Sequence, residues 1–177
     1  MKIFWVFFLL TCSVANGQTV STGNNSTWLT FKATGYSLTY PANWVIDTSK
    51  KMGIDLFIFS KLDSINDKFR ENVNVLSSDT EGQHVSLDTF VKVSLKGIQD
   101  MATGYKILES KLYVLPGRTY HKIEFTMQQG TFNLHFVQYY FATDKKVYTI
   151  TLTTEVSQFE RYRETGARML DSFRLEN

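Results

Sequence analysis

The chain has 177 residues, 43% of them hydrophobic and 15% aromatic. That is one domain's length, with enough apolar material to bury about 70% of the unfolded surface without disulfide or metal staples. A formal net charge of +2 is too small for nucleic-acid binding by charge alone, and the aromatic content excludes a disordered chain.

The N-terminus reads Met1-Lys2, an apolar run from Ile3 to Val14, then Ala15-Asn16-Gly17-Gln18. This is the form of a secretory signal cut after Gly17, residues 1–17. The run is shorter than the roughly 18 residues a spanning helix needs, which weighs against an uncleaved anchor. Leu9-Leu10-Thr11-Cys12 partly matches a bacterial lipobox, but Thr11 stands where a smaller residue is usual. Lipid anchoring through Cys12 is therefore the less favoured alternative. Cys12 is the only cysteine, so a chain starting at Gln18 has no thiol nucleophile, disulfide or thiolate metal site. Residues 18–27 are polar and read as a flexible leader. Asn24 and Asn25 each open an Asn-x-Ser/Thr sequon. Residues 28–177 carry no linker or repeat and read as a single domain.

Short strands are expected at Trp28–Lys32 and Tyr36–Tyr40 around Gly35, then at Trp44–Ile46, Leu56–Ser60 and Val73–Ser77. Ser86 to Ala102 has helical period, with Leu87, Phe90, Val91, Leu95, Ile98 and Met101 on one face. Ser86 is its N-cap, Val85 staples onto Phe90, and Gly104 terminates it. Four strands follow, Lys106–Leu115, Thr119–Met127, Thr131–Ala142 and Lys146–Thr154, joined at Pro116-Gly117, at Gln129-Gly130 and around Asp144. A second helix, Gln158 to Phe173, closes the chain, with Phe159, Tyr162, Met169, Leu170 and Phe173 as its apolar stripe. The order predicts an α+β fold with an antiparallel sheet.

A two-residue turn at Gln129-Gly130 pairs Met127 with Phe132, Phe125 with Leu134 and Ile123 with Phe136. That apolar face would also hold His121, Gln138, Leu108, Leu112, Ile150 and Leu152. The opposite, mixed face would hold Glu109, Lys111, Lys122, Glu124, His135, Tyr139, Phe141 and Val147.

The segment Tyr36-Ser37-Leu38-Thr39-Tyr40-Pro41-Ala42-Asn43-Trp44 resembles the opening signature of the PsbP-like/Mog1 superfamily. The segment Met169-Leu170-Asp171-Ser172-Phe173-Arg174-Leu175 resembles its closing helix. The likeness runs over residues 28–176 and implies an α/β/α sandwich, a central, mostly antiparallel sheet with helices on its faces. It also implies a docking module. Members include extrinsic subunits of the oxygen-evolving complex, a small-GTPase-binding nuclear transport factor and exported bacterial proteins of unknown role. They share no catalytic motif. The exported bacterial branch matches best, and the lack of a plant-type transit peptide argues against a photosynthetic role.

In the expected register Glu124 opposes His135 and Glu109 opposes Glu124. Such a trio can bind a divalent ion or tune a carboxylate for acid–base work, or it can be a cross-strand charge pair worth about 0.2–1 kcal/mol. His121 is expected to hydrogen-bond Gln138 or Ser110. His84 lies beside Asp79 and Glu81 without metal-ligand spacing. Asp63, Asp67 and Glu71 recur every four residues, as a Ca2+-attracting face or as a solvated turn. Arg161, Arg163, Arg168 and Arg174 make the last helix basic. Tyr113, Tyr120, Tyr139, Tyr140 and Phe141 are interface anchors or core under the helices. No hydrolase, phosphate-loop, dinucleotide or zinc-protease motif occurs.

The first reading is an exported, non-catalytic module docking onto another cell-envelope protein, with Tyr113, Tyr120, Tyr139, Arg161 and Arg168 as partner-binding candidates. It needs no cofactor or nucleic acid, and admits peripheral or lipid-anchored membrane association. The second is a periplasmic small-ligand or divalent-metal binder using Glu109, Glu124 and His135. The third is a hydrolase with an unrecognised site.

Overall fold

The computed structural model describes residues 27–80, 82–101 and 103–176; the expected signal, Cys12 and all but the last residue of the leader lie outside them. In chain order the elements are β1 (Trp28–Ala33), β2 (Tyr36–Pro41), β3 (Val45–Asp47), β4 (Leu56–Phe59), β5 (Asn72–Asp79) and α1 (Leu87–Met101). The second half contains β6 (Thr103–Leu115), β7 (Arg118–Gln129), β8 (Phe132–Ala142), β9 (Lys146–Glu155), α2 (Phe159–Ser172) and β10 (Arg174–Leu175). Short 3-10 turns sit at Lys51–Gly53 and Val156–Gln158. Seven strands form one antiparallel sheet in the order β3-β4-β5-β9-β8-β7-β6. A smaller sheet has the order β1-β2-β10.

The helices form where the sequence supplies stripe and cap. The Ser86 hydroxyl accepts the Thr89 amide at 3.1 Å, and Val85 packs into the same cluster as Phe90. Phe90, Val91 and Ile98 of α1 then cover one face of the large sheet, against Ile123, Phe125, Met127, Tyr140 and Val147. On the opposite face, Tyr162, Met169, Leu170 and Phe173 pack on Val73, Val75, Val137, Phe141, Ile150 and Leu152. The small sheet joins that second layer through Tyr36, Leu38 and Tyr40. The expected α/β/α sandwich is therefore the observed one. β10, which the sequence reading lacks, pairs with β2 directly after α2.

Three register expectations are corrected. The β7–β8 turn is Gly130–Thr131, since Gln129 pairs with Phe132. Gly130 has a φ of +59°, the left-handed geometry that tight hairpin turns require and glycine supplies cheaply. Met127 thus faces Leu134, Phe125 faces Phe136 and Ile123 faces Gln138, a shift of two that keeps every residue on its expected face. At β8–β9 the faces do change. Tyr139 pairs with Ile150 and Ala142 with Val147, so Ile150 and Leu152 lie on the α2 side and Val147 on the α1 side. Thr143 sets this register: its amide bonds the Lys146 carbonyl at 2.8 Å and its hydroxyl accepts the Lys146 amide at 2.9 Å. Leu108 is the extra residue of a β-bulge between the pairs Ile107–Phe125 and Glu109–Glu124. Gly104, expected to end the helix, lies within β6.

Helix α2 packs closely against β9 at Gly166. A Cβ there would lie 2.7 Å from Leu152 Cδ1 and closer still to Cδ2. Gly166→Ala should therefore lower stability by about 1–3 kcal/mol through overpacking, although alanine raises helix propensity by about 1 kcal/mol. Chemical denaturation checks this, and Leu152→Ala, itself a core truncation, should combine with Gly166→Ala less than additively. A gain in stability from Gly166→Ala alone would mean that α2 does not press on β9.

Candidate functional site

The α2-side face of β6, β7 and β8 brings the expected trio together around a fourth residue. Glu109 pairs with Glu124 across β6–β7, as expected. His135 lies opposite Thr126 rather than Glu124, and its Nε2 still reaches Glu124 Oε1 at 2.9 Å along the diagonal. Lys122 stands between the carboxylates, its ammonium 2.7 Å from Glu109 Oε2 and 2.7 Å from Glu124 Oε2. The Tyr113 hydroxyl donates to Glu109 Oε1 at 2.5 Å. The position where a cation would bridge the two carboxylates is thus filled by Lys122. Among the described residues, no group of three or more His, Cys, Asp or Glu side chains is placed to hold a metal ion.

The electrostatics follow from these contacts. Hydrogen bonds from Lys122 and then Tyr113 hold Glu109 below the ordinary carboxylate range. Burial pushes Glu124 up, but the bonds from Lys122 and His135 outweigh it and leave Glu124 low as well. Burial pulls Lys122 down, and its two carboxylate partners more than offset this, leaving it above the ordinary lysine value.

The polar row continues into the core. His135 stacks on Phe159 at a centroid distance of 3.5 Å and pairs with Thr154 on β9. Asn72 pairs with Thr153, which brings Glu71 alongside Thr154. The Ser60 hydroxyl donates to Glu71 Oε2 at 3.3 Å. Glu71 is only 2% exposed, and that burial raises its carboxyl above the ordinary range. Beside this row, a crevice of about 260 Å3 is lined by Asp63, Ser64, Asn66, Asp67, Glu155 and Gln158.

The expected anchors separate into two groups. Tyr120 and Tyr139 are buried and stack on each other at 4.4 Å; they are core residues, not surface anchors. Tyr113, half-buried, extends the stack at 5.2 Å. Arg118, at the tip of the β6–β7 hairpin, lies over Tyr120 at 4.6 Å. Its guanidinium donates to the Asp171 and Leu170 carbonyls at 2.7 and 3.1 Å, a second donor to each beside the Arg174 guanidinium and the Phe173 amide. Arg161 is held by Asp63 in a two-bond pair. Arg168 lies 3.9 Å over the Trp28 ring. His121 bonds Ser110 at 2.9 Å, one of its two expected partners. Asp63 and Asp67 lie in a loop, where Asp67 accepts the Asp63 amide at 2.9 Å.

Sequence reasoning missed three features. Lys122 falls on the correct face in the sequence pattern, two residues from Glu124, and that spacing is the available signal for its bridging position. Arg118 directly follows the Pro116-Gly117 turn, but nothing in sequence reveals the helix end that it meets. The third is the outer edge of β6, the last strand of the large sheet. Leu112 is 51% exposed and Val114 70% exposed on an edge that carries no further strand among the described residues.

Comparison with known proteins follows the same lines. The family model described as PsbP-like protein matches residues 12–175, and the chain belongs to that family. The fold is similar to cyanobacterial PsbP (CyanoP) from Synechocystis sp. PCC 6803, at 16% identity and TM-score 0.62, over 88% of this chain and 98% of that one. It is also similar to LpqN of Mycobacterium tuberculosis, described as involved in cell envelope biogenesis, at 8% identity and TM-score 0.62, over 88% and 87% of the chains. A Pseudomonas aeruginosa protein of unknown function aligns at 13% identity and TM-score 0.57, over 82% and 94%. No curated protein matches the sequence.

Lys122→Met should destabilise the fold by about 2–4 kcal/mol near neutral pH, because two partly buried carboxylates then face each other without their cation. In the parent chain the depressed Glu109 and Glu124 contribute stability above their unfolded pKa and lose it as pH falls through the folded values. In the variant, repulsion raises both carboxyls, so acidification stabilises it. Urea midpoints should therefore converge as pH falls from 7 towards about 4, and a gap that widened would exclude the Lys122 bridge between Glu109 and Glu124. Arg118→Ala should cost about 2 kcal/mol through the two lost charge-assisted bonds and the lost stacking on Tyr120. Arg118→Lys should not restore this, since an ammonium cannot fork to both carbonyls from a ring-stacked position.

Proposed function

We propose that the chain is a non-catalytic module of the bacterial cell envelope that acts by docking onto another protein. The observation that carries this reading is the open edge of β6, where aliphatic side chains stand exposed along an unpaired strand. Exposed edges invite strand addition, and natural proteins tend to cover or blunt them. The interior supports the same reading: Glu109, Lys122, Glu124 and His135 are bonded to one another, which makes them a structural network. The signal-like N-terminus and the family membership support export. The described role of LpqN supports the envelope as the compartment.

The test is capture from native envelope extract with chains starting at Gln18, carrying either the parent sequence or Val114→Asp. A partner retained by the parent and lost by a variant with an unchanged melting curve is the expected result. Capture that is indifferent to Val114→Asp and Leu112→Asp would remove the β6 edge from the docking surface.

A further inference from the structure

Resting on that docking reading, we infer that the β6 edge accepts, as an added strand, an extended segment of a partner protein that alternates aliphatic and acidic side chains. Three observations define this occupant. The edge lies on β6, at the margin of the sheet, and its register is unbroken from Glu109 to Leu115, so main-chain hydrogen bonding is available along that stretch. Its pattern is two-sided. Ser110, Leu112 and Val114 share the α1-side face with His121, Tyr120 being on the other side. An added strand must therefore present aliphatic residues at every second position to cover Leu112 and Val114.

The third observation is charge. On the α2-side face the edge presents Lys106, opposite Thr126, and Lys111, opposite Lys122. Both are exposed, and neither is in a direct ion pair with a carboxylate among the described residues; Lys111 acts on Glu109 only at longer range and lies 5.2 Å over the Tyr113 ring. Glu109, between them, is already taken by Lys122 and Tyr113. The charge left unanswered along the edge is positive, and the remaining alternate positions of the added strand are therefore acidic.

The probe is a synthetic peptide of about eight residues, a usual strand length, alternating valine and glutamate. Its counterpart has lysine in place of glutamate. Binding to the chain starting at Gln18 is read by fluorescence anisotropy at low salt. The glutamate peptide should bind at least about tenfold more tightly than the lysine peptide, and added salt should erode the difference. Hydrogen exchange should slow at the β6 amides between Glu109 and Leu115. A Lys106→Glu, Lys111→Glu chain, altered only at exposed positions, should reverse the peptide preference. Equal binding of both peptides, or protection elsewhere, overturns the inference. Failure of both peptides while envelope capture still depends on Val114 overturns the partner chemistry and leaves the docking reading standing. Concentration-dependent dimerisation abolished by Val114→Asp would assign the edge to a second copy of the chain and overturn the inference likewise.

Discussion

Tyr139 and Tyr140 are neighbours in sequence, point to opposite sides of the sheet, and are both buried. β8 and β9 are the strands on which this two-sided burial falls most heavily, and neither can be buried by a single layer. One helix on each face is the consequence. The α1 side is sealed by the cluster of Phe90, Ile98 and Tyr140. The α2 side needs more cover than one helix offers, and the small sheet supplies it through Tyr36 and Leu38. Gly166 lets α2 settle onto Leu152, and Arg118 and β10 hold the end of the helix from two directions.

Within this frame the polar residues are unevenly placed. The row from Glu109 through Lys122, Glu124 and His135 to Thr154, Glu71 and Ser60 crosses most of the large sheet on one face. Its outer members neutralise each other, and its inner members are few and lie under Phe159 and Tyr162. Buried polar groups of this kind fix a unique packing more than they add net stability. The interior thus holds the shape, while the surface of the margin strand stands exposed.

Much of this was legible in the sequence. The helical period of Leu87 to Met101 and the Pro116-Gly117 turn placed α1 and the β6–β7 pairing, including Glu109 opposite Glu124. The β8–β9 register was not legible. β8 is apolar on both faces, so its pattern has no polar side to orient it, and the alternation of Thr149, Thr151 and Thr153 with Ile150 and Leu152 suggests a wet face that the structure buries. Gln138 explains part of this, donating to the Thr151 hydroxyl at 3.2 Å. Likewise the five aromatics from Tyr113 to Phe141 read as anchors or as core. Only the helices and their neighbours decide between the two, α1 for Tyr140 and α2 for the other four, because that choice depends on contacts between elements distant in sequence.

The bulge at Leu108 has a consequence for self-association. It leaves Glu109–Leu115 as the straight part of the margin, closed at its far end by the Pro116-Gly117 turn. Fibre growth needs long flat edges that can add copy after copy without limit. A short straight margin bounded by a kink and a corner offers only a limited length for pairing, so the exposed edge resists propagation into an aggregate.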